Sequence, residues 1–148
     1  MESAAVIGGA DGAALMLLAG AERLRAIGAS TPEGLELEVA QQTAGAGPAF
    51  DCLARGEPVV IEDLAASESP QQRVFARQAA PIRSVLSLPV RVHGRPAGSL
   101  NLYRYRPAFW SDTQVAAAQR LSDVVAVLVE MLASRYGASP RPGASPAR

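Results

Sequence analysis

Cys52 is the only cysteine in the chain and His93 the only histidine, so any nucleophilic, acid–base or metal chemistry has to be built around one of them or around carboxylates. A reactive thiol needs a cation or a helix terminus beside it to hold the thiolate. Cys52 instead follows Asp51 and precedes Leu53, a charge and a packing pattern that predict a buried, inert thiol. His93 falls at a hairpin turn, where exposure to solvent is expected rather than a role as base or ligand. Glu36 and Glu38 are two residues apart, on different sides of a helix, and with the pair Glu62 and Asp63 they read as solvated edges. The glycines of "GAGP" neither follow a strand nor open a helix at phosphate-loop spacing. A single cysteine forms no intramolecular disulfide and no thiolate metal cluster. These residues therefore predict no catalytic set and no metal site.

A polar stripe is more informative. The stretch "SVLSLPVRVHGRPAGSLNLYR", residues 84–104, reads as two strands folded over a glycine turn. Side chains alternate across a strand, so Leu100 and Leu102 point one way while Ser99, Asn101 and Tyr103 point the other. On the partner strand Leu86, Leu88 and Val90 oppose Arg83, Val85 and Ser87. If the leucines pack on a helix, Arg83, Ser87, Ser99, Asn101 and Tyr103 face a second layer. The segments at 48–55 and 70–80 could roof that face, contributing Phe50, Leu53 and Phe75. An apolar body with a few placed hydrogen-bonding groups is how small-molecule pockets are built; alternatively, the polar groups satisfy one another inside the sheet.

The elements that position this stripe follow from periodicity and breakers. "AALMLLAG" and "AERLRAIGAS" predict a first hairpin. A weak helix of two to three turns is expected between Pro32 and Gly45, and a second from Pro48 to Gly56, with Phe50 and Leu53 turned inward. "VVIEDL" predicts a strand, and residues 72–80 an irregular helix. Pro89 lacks the N–H a central strand needs, which predicts a bulge or break near Leu88 and Pro89. Ser111 and Gln114 have capping-box spacing and open a long helix whose apolar face would be Leu121, Val124, Val125, Leu128 and Leu132. Val127 and Met131 widen that face, which implies either deeper burial or a seam with a second subunit through Val124, Val127, Leu128 and Met131. Residues 137–148 hold no core residue and predict a disordered Pro/Ser/Ala/Gly tail, leaving residues 1–136 as a single domain.

Composition narrows the partners. The 148 residues carry 14 basic and 14 acidic side chains, so no net field draws nucleic acid or anionic lipid. The start carries Glu2 and Asp11 and lacks a basic leader, and no apolar run approaches the ~20 residues of a membrane span. A soluble, cytoplasmic protein with no direct nucleic acid or membrane partner is expected.

Taken together, "DCLARGEPVVIEDL" and the run from "IRSVLSLPV" through "GSLNLYRYRPAFWSDTQ" into the last helix resemble the GAF domain, and in particular the type found in actinobacterial GAF–ANTAR regulators, over residues 10–133. The resemblance implies an α+β fold: a central antiparallel sheet with helices on one face, and loops and short helices covering a pocket on the other. It implies a signal-transduction sensor that binds a small molecule, or a ligand-free dimerisation or scaffold module; in either case a homodimer through the C-terminal helix is expected. No ANTAR segment follows Tyr136, so RNA binding is not expected, and "ESAAVIGGA" is short for the usual N-terminal helix. The ligand is unknown: a cyclic-nucleotide signature, a bilin-attaching cysteine, a haem histidine and a metal signature are all absent. Some small GAF proteins reduce methionine sulfoxide with several cysteines. One cysteine cannot complete that cycle, so no enzymatic activity is expected.

Overall fold

The computed structural model describes residues 9–20, 23–66 and 68–136. Five strands form one antiparallel sheet in the order β2-β1-β5-β4-β3: β1 Gly12–Leu18, β2 Leu24–Ala29, β3 Val59–Ile61, β4 Ser84–Val92 and β5 Arg95–Arg104. Helices α1 Pro32–Ala44, α2 Pro48–Arg55 and α3 Pro70–Ala79 cover one face, and α4 Asp112–Tyr136 covers the other. The chain is thus α+β, as expected. The proposed tail and the first eight residues lie outside the described residues.

The β4–β5 hairpin closes over a two-residue turn in which His93 (φ 55°) and Gly94 (φ 75°) are both left-handed, the turn geometry that suits the twist of paired strands. His93 is exposed, and its imidazole lies 3.0 Å from Glu130 of α4. Gly98 is obligatory for a different reason: a Cβ there would run into the Met16 carbonyl of β1.

Pro89 does not break its strand. β4 runs through it, and the irregularity falls between Val90 and Arg91. β3 pairs only with residues 85–87, so Pro89 lies beyond the reach of its outer neighbour, and no ladder bond is lost on that side. Its carbonyl accepts from the Ser122 hydroxyl (2.8 Å) and the Gln119 amide (3.3 Å) of α4.

The leucines of β4 and β5 (Leu86, Leu88, Leu100, Leu102) pack with Trp110, Ala118 and Ala126 beneath α4. The α4 face on the sheet is not the one expected. The small residues Ala118, Ser122 and Ala126 are buried at i, i+4, i+8, with Leu121 and Val125 only half-buried beside them. Val124, Leu128 and Leu132 are exposed. The strands already supply the bulk, so small side chains let α4 approach closely enough for Ser122 to reach Pro89. The capping box is formed: Gln114 N donates to the Ser111 hydroxyl, and Ser111 N donates to the Gln114 side chain.

Candidate functional site

On the other face, Tyr103 occupies the space between sheet and α1. Its ring lies between Gly12, its cross-strand partner on β1, and Gly34 in the first turn of α1, and a Cβ on either glycine would overlap the phenol. The phenol shares a 2.6 Å hydrogen bond with the hydroxyl of Thr31. Thr31 is also the N-cap of α1, accepting from Gly34 N.

Next to Tyr103, Asn101 Oδ1 accepts from both Ser87 (2.7 Å) and Ser99 (2.9 Å). With both lone pairs of that oxygen used, the amide orientation is set, and Nδ2 is directed away from the serines. Glu38 of α1 belongs to the same buried core and is wholly inaccessible. Neither carboxyl oxygen of Glu38, nor Asn101 Nδ2, makes a hydrogen bond among the described residues. Burial pushes the Glu38 pKa from 4.5 up to about 9, while the nearby Asn101 amide offsets this only in part. Glu38 therefore holds its proton at neutral pH. The expected solvated edge is found for Glu36 and Glu62 but not for Glu38, which shares the sheet-facing side of α1 with Leu37 and Gln41.

Gln41 links the two short helices. Its Oε1 accepts from Ala49 N at 2.8 Å, satisfying one of the amides at the start of α2, where Gly47 offers no side-chain cap. Within α2 it is Pro48, Ala49 and Cys52 that are buried. Phe50 and Leu53 are half-buried against Met16 and Leu24. The Cys52 thiol is pushed up to about 12 by burial, with Ser99 and Arg91 opposing this only partly. Arg91 donates to the Gly56 carbonyl at the end of α2. Alkylation of native Cys52 by iodoacetamide at pH 7.5 is expected to be on the order of 10³-fold slower than in the urea-unfolded chain. Comparable rates in the two states would show the thiol to be accessible and ionisable.

A cleft of about 700 Å³ opens where the end of α1, the start of α2, β3 and α3 meet; Ala44, Gly47, Asp51, Ile61, Leu64 and Phe75 are among its walls. Asp63 also lines it, held by Arg83 through two bonds of 2.8 and 2.9 Å, which keep its carboxyl below the usual range.

The eight residues expected to share a pocket are thus dispersed. Phe75 lines the cleft, and Arg83 reaches it through Asp63. Phe50 borders a shallower concavity with Arg23, Arg25 and Gln42. Ser87, Ser99, Asn101 and Tyr103 are sealed inside. The serines and the asparagine oxygen satisfy one another, as one of the two readings of the stripe required; the asparagine nitrogen and Glu38 do not. Glu38, Gln41 and Asp51 escaped the sequence reading. For Glu38 and Gln41 the one signal was the 3.6-residue recurrence Gly34, Leu37/Glu38, Gln41, faint because Leu37 is its only large apolar member. Of the proposed subunit seam, Val124, Val127, Leu128 and Met131 are all more than half exposed. Among the described residues no cluster of His, Cys, Asp or Glu could hold a metal ion, and no helix is long and apolar enough to cross a membrane.

The single antiparallel sheet with a long helix on one face and short helices on the other defines a GAF-type domain, and the family comparison agrees: the GAF domain family matches residues 1–130. The chain belongs to the GAF family. Among solved structures it is similar to a domain assigned to a two-component sensor histidine kinase of Sinorhizobium meliloti 1021, at 17% identity and TM-score 0.71, covering 92% of this chain and 90% of that one. It is also similar to the GAF-B domain of DevS from Mycobacterium smegmatis, at 20% identity, TM-score 0.66 and 93% coverage of both chains. A third is the type II free methionine-R-sulfoxide reductase of Thermoplasma acidophilum, at 19% identity, TM-score 0.58, and 82% and 80% coverage. At these identities the likeness is one of fold. No match was found among the curated proteins.

Proposed function

We propose that this GAF domain is a non-catalytic regulatory sensor that takes a small molecule in the cleft between α1, α2, β3 and α3. The observation that carries this reading is the cleft itself, with an apolar wall of Ile61, Leu64 and Phe75 and a few polar groups at its edge, next to a core holding unspent hydrogen-bonding atoms. The sensor-kinase relative lends support at the level of fold. A catalytic role of the reductase kind is disfavoured because the sole thiol is buried and held protonated. Sulfoxide reduction with an external thiol, at a rate lowered by Cys52→Ser, would reverse that assignment. Native mass spectrometry of protein purified under gentle conditions tests the sensor reading. A bound small molecule lost on denaturation is the expected result; an empty protein from its own host would move the assignment to a ligand-free module.

That second reading has its own observation. Val124, Val127, Leu128, Met131 and Leu132 are each 53–61% exposed on α4, an apolar stripe about 13 Å long. Monomers rarely leave such a stripe uncovered. Its 3- and 4-residue spacing suits a second copy of the same helix, so a homodimer serves both readings. Sedimentation should give a dimer for the parent and a monomer for Leu128→Asp. A parent that stays monomeric at several hundred micromolar would exclude the seam.

A further inference from the structure

We infer that the open edge of the sheet at β2 is a second binding site, one that takes the carboxylate of a small acid with a flat apolar body. It is separate from the cleft of the sensor reading and does not depend on it.

The site is the concavity of about 540 Å³ lined by Arg23, Leu24, Arg25, Gln42, Gly45 and Phe50. β2 is an outer strand, paired only with β1, and the register fixes where its hydrogen-bonding groups point. Ala19 N donates to Arg23 O and Arg25 stands opposite Leu17, so Arg23 and Arg25 turn their backbone groups inward to β1. Backbone directions alternate along an antiparallel strand, so Leu24 and Ala26 turn theirs outward. The outward N–H of Ala26 is taken by Gln42 Oε1 at 2.9 Å. The outward N–H of Leu24, about 7 Å along the strand, makes no hydrogen bond among the described residues. The edge thus already holds one planar carbonyl oxygen and leaves the neighbouring donor open. A second strand fits poorly here, because Gln42 fills the adjacent rung and a single open donor remains where strand pairing needs several.

Charge selects the kind of oxygen ligand. Arg23 and Arg25 flank Leu24, both exposed, and neither side chain makes an ion pair or hydrogen bond among the described residues. Gln42 spends its oxygen on Ala26 and keeps its Nε2 uncommitted. No carboxylate is among the described residues lining this concavity, whereas Asp51 and Asp63 line the cleft. A structural role for the arginines would be to bond the carbonyls at the end of α1, whose last turn has no basic residue; no such bond forms among the described residues. The concavity therefore offers N–H donors and positive charge with no side-chain acceptor, which favours an anion over a neutral or cationic ligand. A guanidinium fork and a backbone N–H match the two oxygens of a carboxylate: one oxygen accepts from Leu24 N, the other from Arg23 or Arg25. The Phe50 ring, half-buried against Met16 and Leu24, supplies an apolar wall for the body of the acid.

Benzoate, benzamide and benzamidine provide near-isosteric probes of negative, zero and positive charge. NMR titration of the full chain at pH 7 is expected to show benzoate binding at least tenfold more tightly than the other two, with the largest amide shifts at Leu24 and Gln42. Its affinity should fall several-fold as sodium chloride rises from about 50 to about 500 mM. Arg23→Gln and Arg25→Gln should each weaken benzoate at least threefold. Both positions are exposed, so unchanged thermal unfolding serves as their folding control. Phe75→Leu, in the wall of the other cleft, should leave benzoate binding as it is. Equal or tighter binding of benzamide or benzamidine overturns the inference, as does benzoate binding indifferent to both arginine substitutions, shifts centred on Phe75 and Ile61, or no saturation at tens of millimolar benzoate. Protein that carries no molecule in its native mass spectrum yet binds benzoate in this pattern would remove the sensor reading and leave this site standing.

Discussion

Glu38→Gln is expected to make the domain more stable than its parent at pH 8, by on the order of 4 kcal/mol, and to leave stability nearly unchanged at pH 4.5. The folded-state pKa of Glu38 is raised from 4.5 to about 9 by burial. Below pH 4.5 the carboxyl is protonated in both folded and unfolded chains and contributes no pH dependence. Between 4.5 and 9 the unfolded chain ionises while the folded chain holds its proton, so each pH unit costs the fold about 1.4 kcal/mol. Above 9 both forms are ionised and the loss levels off. A glutamine keeps the size and hydrogen-bonding capacity of the protonated acid and removes this slope. Urea unfolding of both proteins from pH 4.5 to 9 reads the effect directly: a falling midpoint for the parent and a flat one for the variant. Parallel pH profiles would mean that Glu38 is solvated or paired in solution. An entire domain is stable by only about 5–15 kcal/mol, so a penalty of this size is large.

The second large effect concerns Tyr103. Gly34→Ala would ordinarily favour a helix by up to about 1 kcal/mol. Here the new methyl overlaps the Tyr103 phenol and is expected to destabilise the domain by about 2–3 kcal/mol. That figure combines overpacking of roughly 1–3 kcal/mol with loss of the 2.6 Å Tyr103–Thr31 hydrogen bond, worth about 1 kcal/mol. In a Tyr103→Leu background the same change should become neutral or stabilising, because the atoms it strikes are gone. Urea denaturation of the four proteins in the cycle should give a coupling of about 2 kcal/mol or more. Additive effects would show that α1 shifts away from the ring and that the glycine is dispensable.

Both predictions turn on the layer between α1 and the sheet, and this is where the sequence was least transparent. The hairpin, the alternation of leucines against Ser99, Asn101 and Tyr103, the glycine turn, the capping box at Ser111 and the inert cysteine were all legible. Each follows from local rules: a period of two in strands, a left-handed turn that glycine tolerates, a hydroxyl three residues before a glutamine. Pro89 misled because a missing N–H matters only if a neighbouring strand is there to accept it, and β3 stops short of it. The α4 face was misassigned because hydrophobicity ranks Leu and Val above Ala and Ser. Close packing over four leucines favours the small residues, and the large ones are left for another surface.

Glu38 shows the same limit from the opposite side. As a residue type it belongs in water, and nothing within a few positions says otherwise. Its neighbour is Asn101, about sixty residues further along the chain, itself bonded to Ser87 and Ser99. The elements and the two faces of the β4–β5 hairpin depend on periodicities shorter than ten residues, so they can be read along the chain. Which polar groups are spent against each other, which are left unpaired, and where the cleft opens depend on contacts between α1, α2, α3 and the sheet. Burial and hydrogen-bond satisfaction are properties of those three-dimensional neighbours, and no local pattern encodes them.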